Sequence, residues 1–315
     1  MSSLSEKSDL VLVIGASCLD VIARLQGDIQ IATSSPALIR TSFGGVARNV
    51  AENLARLGQP VSLLSVIGKD RIGEDVLAHT RNAGVDVSEV YATDNYPTGF
   101  YMGVLNEQGS RQFAFDDMRV MEELTDAYLV YNEDLFEKAG LVFVDANLPK
   151  KALRKVFTLA RKYKVPICAD PASASLAPRL TPFLSQIRLL VPNSLEAGVM
   201  TGHPFEASNQ EAALDAARLL VNKGVEIAFV TLAEYGLCYA TSETNGHIPA
   251  IRTSVVDPTG AGDALSAAVI HALMNDIEID DAARLGVSAA TIVLRYSGTV
   301  YPELSLQKLY DELAV

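Results

Sequence analysis

The stretch VVDPTGAGDAL, residues 255–265, sets two acidic residues around Pro-Thr-Gly-Ala-Gly, and helical periodicity follows at once. A carboxylate such as Asp263 is stabilised near a helix N-terminus, where aligned peptide dipoles leave partial positive charge. The small residues Gly260, Ala261 and Gly262 leave backbone N–H groups uncovered, and such groups bind phosphate. Two readings stay open on these residues alone. One is a tight turn with a helix cap. The other is an anion cradle with a base beside it, able to steady charge on a transferring phosphoryl group while the carboxylate activates a hydroxyl.

Upstream of this stretch, short apolar runs alternate with amphipathic ones. LVLVIGAS (10–17), VSLLSVIG (61–68), LVFVDA (141–146), VPICAD (165–170), IRLLVPN (187–193) and EIAFVTL (226–232) read as buried strands. GGVARNVAENLARLG (44–58) carries Val46, Val50, Leu54 and Leu57 at helical spacing, and Gly58 stops it. GEDVLAHTRNAG (73–84), QEAALDAARLLVNKG (210–224) and most of 263–293 read as further helices. Strands alternating with helices of this length predict a parallel sheet covered on both faces. Residues 97–115 break the alternation: two alternating runs joined by Asn106-Glu107-Gln108-Gly109 predict a hairpin inserted at the rim of the sheet. GLCYATSETNGHIPAI (236–251) predicts a second hairpin.

The chain has 315 residues, 49% hydrophobic and 20% charged, with a formal net charge of -12. That charge argues against nucleic acid or an anionic membrane as the main partner. The separated cysteines Cys18, Cys168 and Cys238 fit free buried thiols in a reducing cytoplasm. The histidines His79, His203, His247 and His271 lack metal-ligand spacing. The polar N-terminus precedes an apolar run too short for a signal sequence or a membrane span.

In an open parallel sheet, ligands sit at the carboxyl ends of the strands. Asp20, Asp145, Asn147, Asp170, Asn193 and Glu196 fall there. Each one alone reads as a cap or turn former, while together they make a polar crevice. FGGVARN offers Gly44 and Gly45 for close backbone approach and Asn49 as both donor and acceptor, or else an ordinary helix start. The first strand–helix turn lacks G-x-G-x-x-G, and no Walker A motif is present, so a dinucleotide oxidoreductase loses its main support.

At these residues the chain resembles a known family. DPTGAGD (257–263) resembles the C-terminal signature of the ribokinase-like (PfkB) carbohydrate kinases, and GGVARNVAENLARLG resembles their N-terminal signature, in the right order over essentially the whole chain. The resemblance implies one α/β domain over 1–315, a doubly wound, mostly parallel sheet flanked by helices, with a small β lid from about 18–42 and 97–118. It implies ATP-dependent phosphorylation of a hydroxyl. By position, Asp263 matches the general base, and Gly260, Ala261 and Gly262 match the anion hole. Asp20, Gly44, Gly45 and Asn49 match positions that hold sugar hydroxyls. Asn193 and Glu196 match the motif that positions magnesium and the ATP phosphates, and Thr231 and Gly236 match nucleotide contacts. Asp257 and Thr259 match positions that, in many members, help bind a monovalent cation such as potassium. One departure stands out: Ala233 occupies a place where the family often has glycine, so φ > 0 is restricted there and the nucleotide loop is expected to shift slightly.

Within the family, GGVARNVAENLARLG, VDANLP (144–149) and TGFYMGVLNEQGSRQFAFDDM (98–118) resemble the pseudouridine kinase branch most. That implies phosphorylation of the 5′-hydroxyl of pseudouridine or a close nucleoside, with Asp117 and Asn147 facing base or ribose. Equally, Asp117 reads as a solvated lid charge and Asn147 as a strand-end cap. A kinase of ribose, fructose or a related sugar is the same-class alternative, and a catalytically silent nucleoside- or sugar-binding relative is the other. The resemblance also implies a homodimer clasped through the β lid.

Overall fold

The computed structural model describes residues 8–314; the polar N-terminal residues 1–7, on which the cytoplasmic expectation partly rests, lie outside the described residues. In chain order the first half comprises β1 (Val11–Ile14), β2 (Cys18–Leu25), β3 (Ala37–Gly44), α1 (Val46–Arg56), β4 (Val61–Leu64), β5 (Val66–Gly68), α2 (Arg71–Asn82), β6 (Tyr91–Thr93), β7 (Gly99–Leu105) and β8 (Arg111–Asp117). Then follow α3 (Asp126–Tyr131), α4 (Glu133–Lys138), β9 (Leu141–Asp145), α5 (Lys150–Tyr163), β10 (Ile167–Asp170), β11 (Ile187–Leu190), α6 (Ser194–Thr201) and α7 (Gln210–Asn222). The chain ends with β12 (Ile227–Thr231), β13 (Leu237–Thr241), β14 (Asn245–Ile248), α8 (Ala261–Met274), α9 (Ile279–Leu294) and α10 (Leu306–Leu313).

The main sheet has eight strands in the order β14-β13-β12-β11-β10-β9-β1-β4. All pairs from β4 to β12 are parallel; only the hairpin strands β13 and β14 run antiparallel. β1, β4 and β9 are buried at every residue, which is why their sequences are mostly Val, Leu, Ile and Phe, broken only by Ser62 and Asp145, rather than alternating. Alternate residues serve opposite faces. Leu12 and Ile14 join the core beneath α5, α6 and α7, while Val11 and Val13 join the one shared with α1 and α8. β1 lies between β4 and β9, so the chain reverses its direction of winding there and opens a crevice at the strand ends.

The expected insertion is a separate four-stranded sheet in the order β3-β2-β7-β8. The turn read at 106–109 closes it: the Gly109 N–H donates to Asn106 O at 3.0 Å, and the Ser110 N–H to Asn106 Oδ1 at 2.8 Å. One expectation needs correction. The run at 61–68 is two strands, because Ser65 leaves the sheet. Its hydroxyl donates to Gly15 O at 2.6 Å and lies 2.9 Å from Ser17 Oγ, while its carbonyl accepts the Tyr91 N–H at 3.0 Å. β5 then pairs with β6 in a small sheet of its own. The three cysteines are buried and free. Among the described residues, no helix is long and apolar enough to cross a membrane.

Candidate active site

Two glycine-headed helices meet at the crevice. α8 begins after Gly260, whose φ of 83° is left-handed and open to glycine at little cost. A Cβ on Gly260 would stand 1.9 Å from Thr299 O, so closeness to the 297–299 loop also demands glycine. Gly262 is different. It is exposed, lies in ordinary helical conformation, and a Cβ there would meet nothing within 4 Å. Alanine would favour the helix by about 1 kcal/mol, so the missing methyl is a cost without a folding benefit. What it leaves is room over the helix mouth. Among the described residues, the N–H groups of Gly262 and Asp263 have no hydrogen-bond partner, and the one from Ala261 reaches only Pro258 O at 3.5 Å.

Asp263, in the same first turn, is 9% exposed. Asn49 Nδ2 donates to its Oδ2 at 2.6 Å. Burial is the main cause that lifts its pKa from 3.8 to about 7, assisted by the charges of Asp20 and Asp145 and opposed by the Asn49 amide and Arg48. A carboxylate held there is half-deprotonated near neutrality and strong enough to accept a proton from a hydroxyl.

Arg48, fully buried, organises the opposite wall. Its Nε donates to Gly44 O at 2.9 Å and its Nη2 to Phe43 O at 2.9 Å, which fastens α1 to the end of β3. Nη2 also donates to Asn49 Oδ1, and Nη1 pairs with Glu52. Because Asn49 Oδ1 accepts from Arg48, its NH2 group is the part that faces Asp263. Burial would raise the Glu52 carboxyl, but His79, Arg48 and Arg56 together hold it down at about 2.

Asp20 lies on β2 beside these groups, its carboxylate packed where a Cβ on Gly44 would stand, 2.0 Å from Oδ1. Burial raises its pKa to about 6, while Cys18, whose Sγ donates to Oδ1 at 3.2 Å, and Arg48 pull the other way. Gly45 heads α1 at a φ of 94°. Asp20, Gly44, Gly45, Asn49 and Asp263 are therefore brought together as expected.

On the other side of the crevice, Asn193 and Glu196 form a reciprocal cap at the start of α6: Asn193 N donates to Glu196 Oε2 at 2.9 Å, and Glu196 N to Asn193 Oδ1 at 3.0 Å. Among the described residues, no hydrogen bond to Glu196 Oε1 is made. Thr231 bridges to Asn193 across the strand ends. Gly236, at a φ of 93°, closes the loop after β12 and accepts the Leu232 N–H at 2.7 Å. Ala233 takes the left-handed φ of 51° despite its methyl, so the loop holds its turn at the cost of local strain.

Three residues that carry the site were not singled out from sequence. Asp170, noted only as polar at a strand end, is half-buried with its pKa raised, by desolvation first and then by the charges of Glu196 and Asp263. Arg48 reads from sequence only as a first-turn neighbour of Asn49, with no role of its own. Arg40 on β3 pairs with the buried carboxylate of Asp257 and donates from Nη1 to Ser297 Oγ at 3.0 Å. The Asp257 carboxylate also accepts the Thr259 N–H at 3.0 Å.

Asp117 and Asn147 are not drawn into the Asp263 cluster. The Asp117 carboxylate is taken up by Arg119, with contacts of 2.8 and 2.6 Å. Asn147 caps the end of β9, its N–H donating to Asp145 Oδ1 at 2.9 Å. No group of three or more His, Cys, Asp or Glu side chains suited to a metal occurs among the described residues. Asp170 and Glu196 form a pair, which fits magnesium, an ion usually held by one or two carboxylates together with water and substrate phosphates.

Residues 8–305 match the pfkB family carbohydrate kinases. The pseudouridine kinase of Escherichia coli (strain K12) is 29% identical over 301 residues, 95% of each chain. An uncharacterized sugar kinase of the same organism, YeiI, is 33% identical over 300 residues, 93% of this chain and 80% of that one. The structure of Arabidopsis thaliana ribokinase with ribose and ATP superposes with a TM-score of 0.82, covering 98% of this chain and 99% of that one at 22% identity. The free amides over Asp263, in this fold and with these relatives, identify the chain as a member of the pfkB family of carbohydrate kinases, phosphotransferases that act on an alcohol group.

Proposed function

We propose that the chain transfers the terminal phosphoryl group of ATP to the 5′-hydroxyl of a nucleoside, with pseudouridine as the preferred acceptor. The observation that carries the chemistry is the pair of unpartnered N–H groups, on Gly262 and Asp263, next to a buried carboxylate whose pKa lies near 7. The acceptor hydroxyl sits between Asp20, Asn49 and Asp263. Asp263 withdraws its proton as the oxygen attacks phosphorus, and the amides of Ala261, Gly262 and Asp263 receive the charge that spreads over the transferring oxygens. Asn49 keeps the Asp263 carboxylate aimed at the hydroxyl. Asp170 and Glu196 would hold magnesium, which when bound neutralises phosphate charge. Asn193, Thr231 and Gly236 lie along the nucleotide side.

The nucleoside assignment rests on the pseudouridine kinase relative and on the lid residues. Asp117, once released from Arg119, and Asn147 offer an acceptor and a donor to the edges of a nucleobase. The relative named as a sugar kinase, at 33% identity, favours a second reading with a free sugar as acceptor. A homodimer through the lid is part of the same proposal. Leu38 and Ile39 on β3 and Phe113 and Phe115 on β8 leave apolar surface exposed on that sheet. A cytoplasmic setting completes it.

An ATP-consumption assay across pseudouridine, uridine, adenosine, ribose and fructose separates the readings. The expected result is the highest kcat/KM for pseudouridine. A preference for a free sugar would replace the nucleoside assignment, and turnover of none of the five would leave the silent-relative reading in its place. Sedimentation at micromolar concentration tests the dimer, which a purely monomeric profile would remove.

A further inference from the structure

Asp257 is 1% exposed, and a buried carboxylate needs a counter-charge. The family resemblance suggests a monovalent metal ion beside Asp257 and Thr259. The side chains do not leave that place open. The Arg40 guanidinium stands against Asp257 Oδ2 as an ion pair, its Nη2 buried and without a hydrogen bond among the described residues, while its Nη1 donates to Ser297 Oγ at 3.0 Å. One cationic group thus joins two loops. The first carries Asp257 into Thr259 and Gly260; the second carries Ser297 to Thr299, whose carbonyl is the wall against which Gly260 rests. The loop before α8 has few other supports. Val256 N donates to Leu294 O at 2.8 Å, and its carbonyl accepts from Arg24 Nη2 at 3.2 Å. Arg24, like Arg40, belongs to the lid sheet, on β2.

We propose that Arg40 is the built-in cation of the phosphate cradle: it takes the place of a monovalent metal at Asp257, frees turnover from potassium, and makes the cradle's geometry depend on the position of the lid. A guanidinium suits this role because its planar fork can engage a carboxylate and a hydroxyl at once, and it stays protonated at every working pH. Arg40 is a positioning residue, acting on the phosphoryl group through Asp257, Thr259 and Gly260. Its reach from the lid strand means that the sheet covering the acceptor and the loop receiving the phosphate are seated by one contact.

The proposal rests on the kinase reading for its rate measurement but not for its melting measurement. Wild type, Arg40→Ala and Arg40→Gln are compared in potassium chloride and in choline chloride at equal ionic strength, by turnover and by thermal unfolding. Wild-type turnover should differ less than about twofold between the salts. Both variants should lose about tenfold or more in choline chloride, the worth of one charge-assisted contact, and recover with potassium or added guanidinium. Their melting temperatures should rise with potassium relative to choline, and the wild-type value should not. Potassium stimulation of wild type by about tenfold would overturn the proposal, since a loop missing such a contact loses at least that much. So would variants as active as wild type in choline chloride, or a loss that neither cation reverses. If no acceptor is phosphorylated, the kinase reading fails, and the melting comparison alone still decides whether Arg40 fills a cation seat.

Discussion

α1 and α8 begin in the same way and end up doing opposite things. Each follows a left-handed glycine cap, Gly45 at a φ of 94° and Gly260 at 83°, and neither has a side-chain cap. At the second helical position of α1, the Ala47 N–H donates to Asp145 Oδ2 at 3.0 Å, and the same oxygen accepts the Ala16 N–H at 2.9 Å. The positive end of α1 is therefore filled by a carboxyl group the protein carries itself, one whose pKa burial raises. At the second position of α8 stands Gly262, whose N–H has no partner among the described residues and whose Cβ position is empty space. One helix mouth is consumed in holding the strands together; the other leaves its first amides without a partner among the described residues. The lesson is that a glycine-headed helix in this fold marks function only where its first-turn amides remain unspent.

Asp263→Asn is the severest test of that contrast. It should keep the fold and nucleoside binding, yet lower turnover by about 10²-fold or more. In the wild type, kcat/KM should fall about tenfold per unit as pH drops below about 7, because the protonated Asp263 carboxyl accepts no proton. The stability of the protein carries the opposite sign. A carboxyl with a raised pKa binds its proton more tightly in the folded chain, so its contribution is present below pH 3.8 and lost as pH rises through about 7. Asp263→Asn should flatten that slope in thermal unfolding. A variant turning over near the wild-type rate would show that α8 presents no base.

Asp145→Ala strikes the filled mouth instead. It strands the N–H groups of Ala16, Ala47 and Asn147, and should cost about 3 kcal/mol or more in denaturant unfolding. An unchanged midpoint would mean that α1 does not depend on its internal carboxyl group. Gly262→Ala sharpens the comparison from the other side. The fold should hold or gain up to about 1 kcal/mol from helix propensity. Turnover should drop about tenfold, because the new methyl enters the space where phosphate approaches. Full activity in that variant would move the anion site away from α8. The mildest change is Ala233→Gly, which removes the left-handed strain near the nucleotide loop and should stabilise by about 1 kcal/mol or less in calorimetry.

Much of this was readable beforehand, for identifiable reasons. The buried strands announce themselves because both faces of a parallel sheet demand apolar side chains, and the glycines at 45 and 260 precede helices at positive φ, which favours glycine. The run VSLLSVIG conceals its break, since Ser65 is small and leaves the sheet only through hydroxyl and carbonyl contacts with distant Gly15, Ser17 and Tyr91. Asp263 and Asn49 were legible as members of short motifs; the hydrogen bond between them was not, since it joins α1 to α8 across the fold. Arg48 and Arg40 escaped for the same reason. Each is an ordinary basic residue until folding delivers Thr299 and Ser297 from the far end of the chain. Asp170 was visible as a strand-end carboxylate, but its pairing with Glu196 depends on two neighbouring strand ends lying side by side.

Thr299 ties the turn before α8 to the end of β3. It rests against Gly260, and its hydroxyl donates to Phe43 O at 2.5 Å, so residues from both extremes of the polypeptide must be present before the turn at 260 is buttressed. A chain that reaches only residue 263 carries both signature motifs yet lacks the wall against which Gly260 rests. A chain cut short before residue 299 should therefore lack the support on which the turn at 260 rests.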